Sequence, residues 1–366
     1  MTSYILDFIA SHPVYAFDEL SLSQWKTDCK NELIYILEIH MMNTEEISQS
    51  INLYLDAHID LAKKMAQSIS LWSIQERQNN ISRLLIQPQV EQRTDAWYTE
   101  AQNMITASQF ATILQDGLTR GRLVMEKASG NVDTSQRKTV VQTMDLSPFT
   151  WGIRFEHVVK QIYIDLTKTT VKDMGRLKHR SDPHLAASPD GMVIDGPPER
   201  CGRFVEFKAP VTRKLQQVIP KDYIVQMQIQ MEVGAVEECD YLEVKFNSAF
   251  GSKAQSPQLI AEPTYKGNIY IISVNEIPQR YTYSPLNDIT WTPSLQEGEE
   301  ILETIPWTTN EYYLTTVGRS RVWFASVQPA IESFWKDVAS AKANTYILPE
   351  SSRKRKQSAC MIIEEA

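Results

Sequence analysis

Cysteine is scarce, and Cys29, Cys201, Cys239 and Cys360 stand far apart with no C-x-x-C pair. That spacing encodes neither a zinc knuckle nor a disulfide framework, so reduced thiols are expected. Long hydrophobic runs are missing too: no apolar stretch approaches the roughly 20 residues needed to span a bilayer. The opening residues Met1-Thr2-Ser3-Tyr4-Ile5 lack the basic start and apolar centre of a secretory signal. An intracellular protein without membrane association is therefore expected. Positive charge is short, with 37 Lys and Arg against 45 Asp and Glu, and the net charge of -8 argues against a chain coated for indiscriminate nucleic-acid binding. Gly117, Gly121 and Gly130 are not followed by Lys-Ser or Lys-Thr, so no phosphate-cradling loop is present and ATP is not implied. His157, His179 and His184 fit no familiar zinc spacing.

What remains is a chain with ample core material, 366 residues of which 42% are hydrophobic, enough for one large domain or two modest ones. Between Asn43 and Trp72 the apolar positions Ile47, Ile51, Leu55, Ile59, Ala62, Met65 and Ile69 recur at helical spacing, and Asn43 with Glu46 has the form of a capping box. Residues 15 to 41 read as another helix. The reading divides the chain into an N-terminal helical module over 1-88, a mixed domain over 89-348, and a tail over 349-366 that carries Arg353-Lys354-Arg355-Lys356, a weak nuclear address. Within the mixed domain the pattern predicts a helix near 107 to 115, a polar mobile loop over 116-146, and a helix from Gly152 to Thr167. Strands are predicted over His184 to Ala187, Met192 to Ile194, Arg203 to Lys208, Tyr241 to Phe246 and Asn268 to Val274, and helices over Asp222 to Val236 and Val322 to Ala343. The class is α/β (α+β), a mixed sheet flanked by helices.

Local basic clusters offset the acidic balance: Arg120, Arg122 and Lys127; Arg137 and Lys138; Arg176, Lys178, His179 and Arg180; Arg213 and Lys214. Taken singly, each reads first as a solvated face.

The segment with chemistry is Ala187-Ser188-Pro189-Asp190-Gly191, followed after the turn Asp195-Gly196-Pro197-Pro198 by Val205-Glu206-Phe207-Lys208. Strand alternation puts Glu206 and Lys208 on one face and Val205 and Phe207 on the other. If the hairpin brings Asp190 beside that strand, two carboxylates form a hard, oxygen-rich site suited to Mg²⁺, with Mn²⁺ as a substitute. Lys208 would then orient water or stabilise phosphate charge, and acting as a base would require a lowered pKa. Alone, Ser-Pro-Asp-Gly is a common turn and Glu-x-Lys a solvated pair.

Together these residues have the P-D…E-x-K form of a large nuclease superfamily, and the surrounding motifs narrow the likeness. The chain resembles the lambda-exonuclease-like branch, which includes YqaJ-type viral recombinases and the alkaline exonucleases of large DNA viruses. Arg93-Thr94-Asp95-Ala96-Trp97 with Ile105-Thr106-Ala107-Ser108 resembles the opening motif, Gly152-x-x-x-Glu156 the helix-borne acid, Asp190 with Glu206 and Lys208 the metal motif, and Tyr223-x-x-Gln226-x-Gln228 the closing helix motif. The likeness spans about residues 92 to 250. It implies a restriction-endonuclease-like core and a 5′→3′ exonuclease acting on double-stranded DNA ends, with possible action alongside a single-strand annealing protein and assembly into a ring trimer.

It also implies that Asp190, Glu206, the backbone carbonyl of Val205 or Phe207, and Glu156 hold metal, that Lys208 and Gln226 assist, and that Arg93 and Ser108 hold a 5′-phosphate. Residue by residue, Arg93 also reads as a surface arginine before a helix, Ser108 as a helix cap, and Glu156 as an exposed acid. Gln226 and Gln228 lie about 200° apart on a helix, so only one can face the site, and the resemblance favours Gln226. The family's second arginine near the tryptophan is missing, because Tyr98-Thr99-Glu100-Ala101 follows Trp97. Two other readings share the motif: an endonuclease of the same superfamily, and a DNA-binding or assembly protein that has lost hydrolysis.

Overall fold

The structure, a computed structural model, describes residue 8 and residues 19-39, 44-70, 74-130, 147-248 and 264-350. Asn43, Arg137, Lys138, Cys360 and the basic tail lie outside the described residues.

The helical period of the first module is realised as α1 (Glu19–Ile39) and α2 (Thr44–Ser70). Ile51, Leu55 and Ile59 of α2 close against Leu22, Trp25, Cys29 and Leu33 of α1, forming a small core of their own. The next helix, α3 (Ile74–Ile86), packs elsewhere. Its Ile81 and Leu84 enter the main core. Arg77 donates to the carbonyls of Glu199 and Cys201, and Arg83 to that of Gly234. Packing therefore changes partners between α2 and α3, ahead of the compositional boundary near residue 88.

The remaining elements, in chain order, are α4 (Asp95–Ala101), β1 (Ile105–Thr106), α5 (Ala107–Ile113), α6 (Leu118–Ser129), α7 (Pro148–Thr167), β2 (Thr170–Lys172), β3 (Leu177–Lys178), β4 (Leu185–Ala187), β5 (Gly191–Asp195), β6 (Phe204–Lys208), α8 (Lys221–Gly234), β7 (Glu238–Ser248), β8 (Tyr265–Val274), β9 (Ile277–Tyr283), β10 (Glu299–Gly318) and α9 (Arg321–Lys342). A seven-stranded sheet runs β2-β5-β6-β7-β10-β8-β9, and a small sheet runs β1-β4-β3. Among the described residues of the large sheet, only β6 and β7 pair in parallel, with α8 as the crossover between them. Helices cover both faces, so the expected mixed sheet flanked by helices is what the chain builds. One face carries Phe204, Cys239 and Tyr241 under α5, α8 and α9; the other carries Val205, Leu242 and Val244 under Phe155, Val159 and Ile162 of α7.

Two expectations change. Part of the predicted loop over 116-146 is helix α6, while residues 131-146 lie outside the described residues. Gly121 lowers helix propensity there, but a Cβ at that position would lie 2.7 Å from Pro349 Cδ, so the glycine serves close packing rather than a turn. The twenty-residue β10 was not foreseen. Its first half pairs with β8 and its second half with β7, with a register shift in each ladder.

Candidate active site

The hairpin predicted from Asp190 to Lys208 forms, with Gly191 opposite Val205 and Met192 opposite Phe204. Strand alternation on β6 then turns Val205 and Phe207 into the core under α7, while Glu206 and Lys208 face α8. Asp190 reaches across the hairpin, its Oδ2 accepting from the Phe207 amide at 2.7 Å. Glu206 is fully buried. Its Oε1 accepts from Lys208 Nζ and, at 2.7 Å, from Gln226 Nε2. The other oxygen, Oε2, accepts from Gln230 Nε2 at 2.7 Å.

Gln230 was missed in the sequence, although it stands four residues after Gln226 and so on the same helical face. Gln228 points away, accepting from the Ser320 amide and donating to the Gly318 carbonyl.

Electrostatics here are unbalanced. Burial, then the Glu206 and Glu156 carboxylates, push the Asp190 carboxyl well above the usual carboxylate range, with Lys208 and the Phe207 amide only partly offsetting them. Burial alone would lower the Lys208 ammonium, but Glu206 and Asp190 outweigh it and hold that group above the ordinary lysine range. In this arrangement the two carboxylates thus shift the lysine in the direction opposite to the one that base catalysis needs. Lys208 Nζ also lies 4.7 Å from the centre of the Tyr223 ring, with the Arg213 guanidinium 5.8 Å from the same ring.

A cleft of about 560 Å³ opens over this cluster, and every side chain singled out in the sequence reaches it: Arg93, Ser108, Glu156, Asp190, Glu206, Lys208 and Gln226. Phe207 lines it as well. Arg93 Nη2 pairs with Glu156 Oε2 at 2.6 Å, so the two residues expected to hold a phosphate and a metal hold each other. Ser108 is not the cap of α5. Thr106 fills that position, with Gln109 Oε1 accepting from its amide at 3.4 Å, and the exposed Ser108 hydroxyl lies 3.2 Å from Thr106 Oγ1.

The segment before α4 and the first turn of α4 pin the Asp190 bend. Gln92 Nε2 donates to the Pro189 carbonyl at 3.3 Å, and Trp97 Nε1 to Ser188 Oγ at 3.2 Å. Behind Trp97, the buried Arg176 guanidinium stacks 4.3 Å from the ring and donates to the Trp97 carbonyl.

Several members of the basic clusters are spent internally, while Arg122, Arg180 and Lys214 are exposed as the sequence suggests. Arg120 pairs with Asp337, Lys178 with Glu100, His179 with Glu232 and Arg213 with Glu243, while Lys127 is buried and donates to the Ala101 carbonyl. His157 stacks on Tyr283, and His184 packs against Trp335 at a tilt. Among the described residues no three His, Cys, Asp or Glu side chains form a ready-made metal-binding group.

The family model of the YqaJ-like viral recombinase domain matches residues 96–237, a span that holds Ser108, Glu156, Asp190, Glu206, Lys208, Gln226 and Gln230. Residues 96–237 are therefore similar to a YqaJ-like viral recombinase domain. An uncharacterized protein, R354, of Acanthamoeba polyphaga mimivirus is 24% identical over 174 residues, covering 44% of this chain and 30% of that relative. The shared region thus spans under a third of the relative's length. Among solved structures, an alkaline exonuclease (LHK-Exo) from Laribacter hongkongensis aligns at 18% identity and a TM-score of 0.41, covering 69% of this chain and 95% of that one. The same protein in complex with dAMP gives the same values.

Proposed function

We propose that the chain is a divalent-metal-dependent 5′→3′ exonuclease that degrades one strand of double-stranded DNA from its ends, leaving 3′ single-stranded tails for recombination, repair or viral genome maturation. The observation carrying this reading is the convergence of Asp190, Glu206 and Lys208 on one open cleft inside the YqaJ-like domain.

The donor set fits a hard cation. All of its candidate ligands are oxygens, and the crowding that raises Asp190 marks a place where positive charge is wanting. Asp190, Glu206 and the Phe207 carbonyl would hold Mg²⁺, or Mn²⁺ in its place, with Glu156 joining directly or through water. Bound there, the ion supplies Lewis-acid polarisation of the scissile phosphate and a hydroxide nucleophile near neutral pH.

The chain's own groups do the rest. Lys208, beside Glu206 in the cleft, offers a positive charge to the phosphate oxygen on which charge builds. Gln226 and Gln230 hold both oxygens of Glu206 so that the acid cannot rotate away. Arg93 offers a planar fork of donors to a terminal 5′-phosphate, with the Ser108 hydroxyl beside it in the cleft. Assembly into a ring trimer and hand-off of the exposed strand to an annealing protein belong to the same proposal.

The test is incubation of the full chain with 5′-phosphorylated linear duplex and Mg²⁺, with the 5′ and 3′ labels read separately and closed circular DNA in parallel. Early release of the 5′ label, retention of the 3′ label and an intact circle are expected. Cutting of the circle would make the protein an endonuclease. Survival of every substrate in both Mg²⁺ and Mn²⁺ would leave a DNA-binding protein without hydrolysis.

A further inference from the structure

Among the described residues that line the cleft, Arg93 and Lys208 are the only cationic side chains, against three acids, Glu156, Asp190 and Glu206. Lys208 is committed to the fully buried Glu206. Arg93 is committed differently: its partner Glu156 is about a third exposed, and Arg93 itself is 40% exposed. A pair that wet is weak and readily exchanged. The Arg93 backbone is also unusual, a non-glycine residue at φ 67° immediately before Thr94, the N-cap of α4. The cap fixes the chain on one side, so the left-handed residue is held where its side chain projects over Glu156. Electrostatics complete the picture. With the acids ionised and Arg93 in place, the cleft has one net negative charge; with Arg93 withdrawn it has two, the charge of one divalent cation.

We propose that Arg93 is an exchangeable counter-ion: it holds Glu156 in the free protein and transfers to the terminal phosphate of a bound DNA end, releasing Glu156 to a divalent cation. End binding and cation binding then strengthen one another, and thermodynamic linkage requires the two effects to be equal. This rests on the nuclease reading above and adds to it a reason for the missing arginine after Trp97: a single arginine serves both the acid and the phosphate.

Two titrations of the full-length chain test it without turnover. In the absence of DNA, Mg²⁺ is titrated calorimetrically into wild type, R93Q, E156Q and the double variant. R93Q is expected to bind Mg²⁺ at least ~5-fold more tightly than wild type, and the gain is expected to vanish in the E156Q background. In the absence of metal, duplexes with a 5′-phosphate or a 5′-hydroxyl are titrated by anisotropy. E156Q is expected to gain at least ~5-fold on the phosphorylated end only. Unchanged Mg²⁺ affinity in R93Q, or a gain that persists when Glu156 is already neutral, overturns the exchange while leaving an end-selective nuclease intact. If instead wild type and E156Q bind both duplexes alike while R93Q still tightens Mg²⁺, the end-recognition reading fails and the exchange falls with it. Matching thermal melts of the variants show that each has folded.

Discussion

Glu206 on β6 and Asp240 on β7 are both fully buried acids, one strand apart and on opposite faces of the sheet. Asp240 lies under α7 and is saturated. It accepts from Tyr163 at 2.6 Å, Arg200 at 2.5 Å, Arg203 at 3.0 Å and Thr316 at 2.7 Å, and it does not line the cleft over Glu206. Glu206 has one cation and two glutamines, a second acid beside it that is pushed toward its neutral form, and a cleft overhead. Burial and hydrogen bonding are common to the two, so neither marks a reactive centre. What separates them is charge: the structural acid has cations to spare, and the site acids lack one.

Opposite responses to removal should follow. Asp190→Ala is expected to lower DNA degradation by at least ~10³-fold while leaving the melting temperature unchanged or higher, because a crowded carboxyl is relieved. Asp240→Ala should do the reverse. Arg200 and Arg203 would be left without their shared acid, at a cost of about 3-5 kcal/mol in chemical unfolding, while the folded fraction degrades DNA at the wild-type rate. If both variants lost stability and activity in the same proportion, the distinction would collapse.

The glutamines of α8 sharpen the contrast on a smaller scale. Gln230→Leu should cost roughly 10-100-fold in rate through the loosened Glu206, and Gln228→Leu about 1-3 kcal/mol of stability with little change in rate. Steady-state kinetics beside thermal melts separates the two effects.

Lys127 offers the mildest test, by pH. Burial, with a minor contribution from Arg176 and against the pull of Glu126, lowers its ammonium to about 8. The unfolded chain therefore binds more protons than the folded chain between about pH 8 and the ordinary lysine value near 10.5. In that window the lysine's contribution to stability rises with pH, and below pH 8 it is a constant penalty of at most roughly 3.5 kcal/mol. Lys127→Met should thus gain on wild type at pH 7 and lose that advantage by pH 10, as followed by denaturant unfolding across the range.

Much of the site was legible because a strand's alternation is unambiguous: Glu-Phe-Lys after a buried valine places acid and amine on one face whatever surrounds them. The order of motifs around it led to the same cleft. Gln230 was hidden only because attention fell on the pair at 226 and 228 rather than on the helical repeat. Part of the cationic runs misled for a deeper reason. Arg176 under Trp97 and Arg120 against Asp337 look solvent-directed in sequence, since nothing local reveals a counter-charge more than two hundred residues away or an aromatic ring eighty residues back. β10 escaped because its two halves answer to different neighbours, so no single alternation runs its length, and Pro306 interrupts it.

Gly191 begins β5 directly after Asp190, and its φ is not positive, so it is not there for a turn. A methyl group on it would lie 2.5 Å from Val171 Cγ1, 3.0 Å from the Lys172 carbonyl and 3.2 Å from Val205 Cγ2. Any larger residue must prise the edge strand β2 from the sheet, and the adjoining carboxylate would be levered off Phe207 by the same displacement. Drift along that margin of the molecule is thereby harnessed to loss of chemistry, so the outermost strand is as constrained as the reactive acid itself.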